Sequence, residues 1–193
     1  MVRYNKSLGS PDLPDQLMIE LSPGAEGNLQ TLEIMKQVAQ ERKTSPLVRQ
    51  TALQIIQSVP QNDRVAECLA IGDWVRANMR YTFDVASEEQ LTDPLTLLDQ
   101  INKQIPCTSS DCDDMSLLTA TLLLSIGYTD IVFCAVRYDK TATSRDSFDH
   151  VYTAVYVKDF KTGQEIRIPL DCILPDAPMG SEVESASLTE YAL

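Results

Sequence analysis

The chain has 193 residues, 16 Lys and Arg against 28 Asp and Glu for a formal charge of −12, and a single histidine, His150. A hydrophobic content of 44% with mixed charge and only seven glycines excludes a disordered, collagen-like or low-complexity chain. The acid excess, with no basic cluster beyond Glu41-Arg42-Lys43, excludes nucleic acid and anionic membrane surfaces as partners.

The length suits one folded unit whose core needs neither disulfides nor metals. Met1 to Lys6 lead into Pro11 and Pro14 rather than an apolar run. The uncharged stretch from Met115 to Tyr128 is shorter than the roughly 18–20 residues that cross a bilayer. The expected location is therefore the cytoplasm of the host cell, or the virion if the chain is phage-encoded. Five cysteines, Cys68, Cys107, Cys112, Cys134 and Cys172, form an odd set without repeated spacing. That suits a reducing compartment better than a disulfide framework.

Residues 1–28 carry three prolines and three glycines and predict an extended arm, with a short strand at Leu17 to Leu21. Three amphipathic helices follow. Leu32, Met35, Val38 and Ala39 mark the first, and Val48, Ala52, Ile55, Ile56 and Val59 the second, which opens at Pro46 and ends at Pro60. The third is capped by Asp63 and carries Val65, Cys68, Leu69, Gly72, Val75 and Met79. Tyr81 to Asp84 reads as extended, and Pro94 to Gln104 as a short helix. Met115 to Ile126 is apolar on every face, which predicts a buried central helix stopped at Gly127. Strands are predicted at Ile131 to Arg137, His150 to Val157 and Glu165 to Asp171, the last two joined by a turn around Lys161-Thr162-Gly163. Residues 174–193, with acids and no base, read as a solvated tail or interaction surface. The domain expected between the ends is 29–173.

The chemistry concentrates at Asp111-Cys112-Asp113-Asp114. Asp111 is placed to cap the central helix, so Cys112 falls on its first turn, beside free N–H groups and the positive end of the helix dipole. Those favour thiolate and could steady an oxyanion, whereas the three aspartates oppose the thiolate. A reactive Cys112 therefore needs an imidazolium partner. Acids that merely suit a helix N-terminus, beside a packed thiol, fit the segment equally well. If the last two strands form a hairpin of even-length loop, His150 and Asp171 lie one pair step apart on one face. There Asp171 could orient the imidazole.

Asp111 to Asp114 running into an apolar helix, His150-Val151-Tyr152 opening a strand, and Ile168-Pro169-Leu170-Asp171 resemble the Cys, His and Asp motifs of the transglutaminase-like superfamily. Asp73 to Asn78, Tyr81 and Pro94 resemble the lead-in of phage and prophage members. The resemblance spans about Leu29 to Cys172. It implies a papain-like α+β fold with the nucleophile helix packed on an antiparallel sheet, Cys112 as nucleophile, His150 as base and acid, and Asp171 as orienter. Members usually carry glycine where this chain has Ser110, and a positive φ there would strain a serine. Beside the Cys112 backbone, Gln104 and Thr108 are candidate oxyanion donors. Trp74, Tyr152 and Tyr156 could line a cleft or fill the core.

The expected function is cysteine-dependent acyl transfer on protein or peptide substrates, hydrolysis ahead of transamidation, with no cofactor or metal. The alternative is a virion or assembly protein that keeps the fold and holds protein partners through its ends. A metal module built from Asp111, Cys112, Asp114 and His150 is the weakest reading, because calcium wants more oxygens and zinc more thiolate or imidazole.

Overall fold

Capping and apolar spacing account for the helical half of the computed structural model, which describes residues 3–5, 16–18, 25–82, 90–104, 110–138, 148–159, 162–182 and 184–193. α1 (Ala25–Arg42) buries Leu32, Met35 and Ala39. α2 (Pro46–Ile56) starts on a proline, whose missing N–H falls where no helical bond would form, and buries Val48 and Ala52. α3 (Arg64–Asn78) is capped by Asp63, which accepts from the Ala66 N–H at 3.0 Å. α4 (Pro94–Asn102) is capped by Asp93, and Arg42 Nε donates to the same carboxylate at 2.7 Å, tying the end of α1 to the start of α4.

α5 (Cys112–Ser125) is the centre of the molecule. Its Leu117, Leu118, Leu122 and Leu123 are fully buried, and α1, α2 and α3 pack around it. Gly127 follows with φ of 92°, the left-handed turn that a glycine makes without strain.

The remaining side of α5 meets an antiparallel sheet of β4 (Ile131–Arg137), β5 (His150–Lys158), β6 (Glu165–Leu170) and β7 (Ser187–Ala192), in the order β6-β5-β4-β7. Phe133, Ala135, Val151 and Val155 face the helices, while Val132, Cys134, Val136, Tyr152 and Ala154 form a second cluster on the other face. This is the expected α+β arrangement of a nucleophile helix on an antiparallel sheet.

Both ends differ from expectation. Ser187 to Ala192 pair with β4, Phe133 facing Tyr191 and Cys134 facing Glu190. Of the acids that suggest a solvated tail, Glu190 is a position of this edge strand, where Arg167 Nε donates to it at 2.7 Å, and Glu182, before the strand, pairs with the same Arg167 at 3.0 Å. At the other end, β1 (Arg3–Asn5) and β2 (Gln16–Met18) pair with each other, and β2 pairs with β3 (Gln90–Leu91), so part of the arm is stitched to the chain beyond α3. α1 also begins earlier than the domain boundary expected at residue 29.

Candidate active site

The first turn of α5 is held from three sides. Asp111 accepts from the N–H groups of Asp113 and Asp114, both at 3.1 Å, and leaves that of Cys112 outside the cap. Asp114, buried, accepts from the Thr92 N–H at 2.7 Å and the Thr92 hydroxyl at 3.1 Å. Ser116 Oγ lies 2.6 Å from the Cys112 carbonyl and 3.0 Å from that of Val151, and Thr153 Oγ1 donates to the Ser116 carbonyl at 2.8 Å. Helix and strand β5 are thereby locked with Cys112 beside the first residues of the strand.

The hairpin register supplies the other pair. Thr153 faces Leu170, so the next residues outward, Tyr152 and Asp171, oppose each other, and His150 lies one pair step further along the same face. His150 Nε2 is 3.0 Å from Asp171 Oδ2, both side chains nearly inaccessible to solvent. The other carboxylate oxygen accepts from the Ile173 N–H at 3.3 Å. Arg76 donates to the carbonyls of Leu174 and Ala177 at 3.0 and 2.7 Å, pinning the segment that follows Asp171 to α3. With Nε2 facing the carboxylate, Nδ1 is the nitrogen left to exchange a proton elsewhere.

Electrostatics at the sulfur are adverse to the anion. Burial first, then the Asp113 carboxylate, push the Cys112 thiol well above its ordinary value, while the Val151 backbone N–H pulls it down. The thiol itself reaches Asp113 Oδ1 at 3.4 Å.

Two tyrosines complete the surroundings without having been assigned a role from sequence. Tyr81 is raised to about 12 by burial and then by Cys112, Asp111, Asp113 and Asp171. Tyr138 is raised to about 12 by burial and then by the acids Asp171, Asp149 and Glu182, with Cys112 contributing. Both phenols therefore remain donors at neutral pH. The Tyr138 and Tyr152 rings stack on either side of His150, each with centroids 5.9 Å away. Val136 pairs with His150, and Tyr138 lies two residues further on the same face, a juxtaposition that only the β4–β5 register reveals.

Ser110 does not take a positive φ; among the described non-glycine residues only Asn62 and Gln104 do. The expected strain is absent because Ser110 runs extended against Tyr81 and Thr82, accepting from the Thr82 N–H and donating its own N–H to Thr82 Oγ1, each at 3.1 Å. Its buried hydroxyl has no hydrogen-bond partner.

Of the other expected residues, Gln104 lies in the exposed turn after α4 and, with Trp74, lines a groove between helices. Thr108 and Cys107 lie outside the described residues. Tyr152 and Tyr156 are not joined by Trp74: Tyr152 donates to Glu182 and Tyr156 to Glu190 on the outer sheet face. In the metal reading, Asp111 and Asp114 are both engaged, one by the helix cap and the other by Thr92. Among the described residues no helix is long and apolar enough to cross a membrane.

A family model described as a transglutaminase-like domain matches residues 50–161, more than half of the chain. The match contains Cys112 and His150 and ends before Asp171. No curated protein matches the chain. A solved structure from Cytophaga hutchinsonii, named as a putative cysteine protease, aligns with 17% identity and a TM-score of 0.45 over 66% of this chain and 37% of its own. The chain thus corresponds to little more than a third of that protein.

Proposed function

The chain belongs to the transglutaminase-like domain family, and from that premise we propose that it transfers acyl groups of amide or peptide bonds through Cys112, with His150 as base and acid and Asp171 as the orienter of His150. The observation that carries this reading is the buried 3.0 Å contact between His150 Nε2 and Asp171 Oδ2. It lies at the end of the sheet where the Val151 N–H reaches the Cys112 sulfur.

Because the resting thiol is protonated, attack and proton transfer go together. Cys112 Sγ bonds to the carbonyl carbon while its proton passes to His150 Nδ1, and Asp171 stabilises the imidazolium. The Cys112 N–H, free of the Asp111 cap, is the nearest donor for the oxyanion. Collapse breaks the C–N bond, and His150 returns its proton to the leaving amine. In the hydrolytic branch His150 deprotonates a water, which attacks the thioester, and the proton ends on the departing sulfur. An amine in place of water gives transamidation; hydrolysis is favoured because water is always at hand.

The virion or assembly alternative draws on free ends, and Ser187–Ala192 is already used by β4. The test is alkylation of the native protein with iodoacetamide, each labelled cysteine assigned by mass spectrometry. Cys112 should label faster than the buried Cys68, Cys134 and Cys172, and His150→Ala should slow it at pH 7 by about a hundredfold, the lower range for a lost general base. Equal rates at Cys112 in both proteins would sink the assignment.

A further inference from the structure

The geometry points to a second binding site, the groove between α2, α3 and the end of α4, as a site for a neutral carbohydrate. Its volume of about 760 Å³ is in the range of small-molecule pockets. Four amide side chains ring it: Gln54 from α2, Asn78 from α3, and Asn102 and Gln104 at the end of α4. All four are exposed. Trp74, half-buried, lies among them.

Charge narrows the ligand. Among the described residues no Lys or Arg lines the groove to serve as counter-ion to a phosphate or carboxylate, and the one acid among them, Asp73, is paired with Arg76. Backbone geometry narrows it further. The lining comes from helices and the turns that follow them, with no strand edge, so an extended peptide cannot add by main-chain hydrogen bonds. A docked amphipathic helix would need a continuous apolar stripe, and here Ile55 and Ile101 are separated by the amides and hydroxyls.

A sugar ring meets what remains. Its C–H face is apolar and flat enough to pack on an indole, and its hydroxyls both donate and accept, as planar amides do. Asn78 Nδ2 is fixed on the Trp74 backbone carbonyl at 2.8 Å, which leaves the amide oxygen as an acceptor. Gln104, at φ of 53°, ends α4 in the left-handed conformation common just past a helix, its N–H donating to the Ile101 carbonyl at 3.0 Å, and so sets the turn at this side of the groove. The proposal stands apart from the chemistry at Cys112 and does not depend on it.

Trp74 is the only tryptophan, so its emission reports on this groove alone. The full chain is titrated with maltotriose, cellotriose and tri-N-acetylchitotriose. At least one should give a saturable emission change below about 10 mM, and Gln54→Ala and Asn102→Ala should each weaken it roughly threefold to tenfold. Both residues are exposed, and unchanged far-ultraviolet dichroism shows that the variants fold. Flat titrations with all three sugars overturn the proposal, as does binding that neither variant weakens. A saturable response to trialanine or inorganic phosphate in place of the sugars also overturns it.

Discussion

Cys112 rests as a thiol because burial and the Asp113 carboxylate both disfavour its anion, and only the Val151 N–H offsets them. Removing the Asp113 charge should therefore move the titration down. Asp113→Asn is expected to displace the Cys112 alkylation profile toward lower pH and to raise the rate at neutral pH severalfold, up to about tenfold. Site-resolved alkylation across pH measures this. An unchanged profile would mean that burial alone holds the proton. Cys112, His150 and Asp171 were legible because each carries a local signal: a helix start after a cap, the first residue of a strand, and the residue after a strand. Tyr81 and Tyr138 are single aromatics in their segments, and only the meeting of those segments around His150 and Cys112 gives them a place in the site.

At the scale of elements, α5 owes its position less to its cap than to what its first turn grips. Asp111→Ala should cost about 1 kcal/mol, as loss of an N-cap does. Asp114→Ala removes both contacts to Thr92 and leaves a buried N–H without an acceptor, so it should cost about 2–3 kcal/mol. Urea unfolding at constant slope distinguishes the two; a larger loss from Asp111→Ala would show that the cap, not the Thr92 latch, holds the turn. Helices α1 to α5 and strands β4 to β6 were readable from periodicity, capping residues and β-branched runs. β7 was not, because Glu190 reads as solvated until Arg167 is seen opposite it.

Across the whole molecule, the buried thiols carry a pH dependence of their own. Cys68, Cys134 and Cys172 are each raised from 9.0 to about 12, by burial first. The folded state thus binds protons that the unfolded state has released between those values. Their contribution is complete below pH 9 and is lost as pH climbs toward about 12. Stability should fall between about pH 9 and about pH 12, followed by urea midpoints at matched ionic strength. A flat profile would contradict the burial of these groups. The sequence by itself determined helices α1 to α5, strands β4 to β6 and the β5–β6 register, since each depends on residues close along the chain. Only the tertiary structure decided that the C-terminal segment closes the sheet, that Tyr81 and Tyr138 flank the site, and that Cys112 keeps its proton. Those outcomes depend on desolvation and on contacts between distant segments, which exist only after the chain has closed on itself.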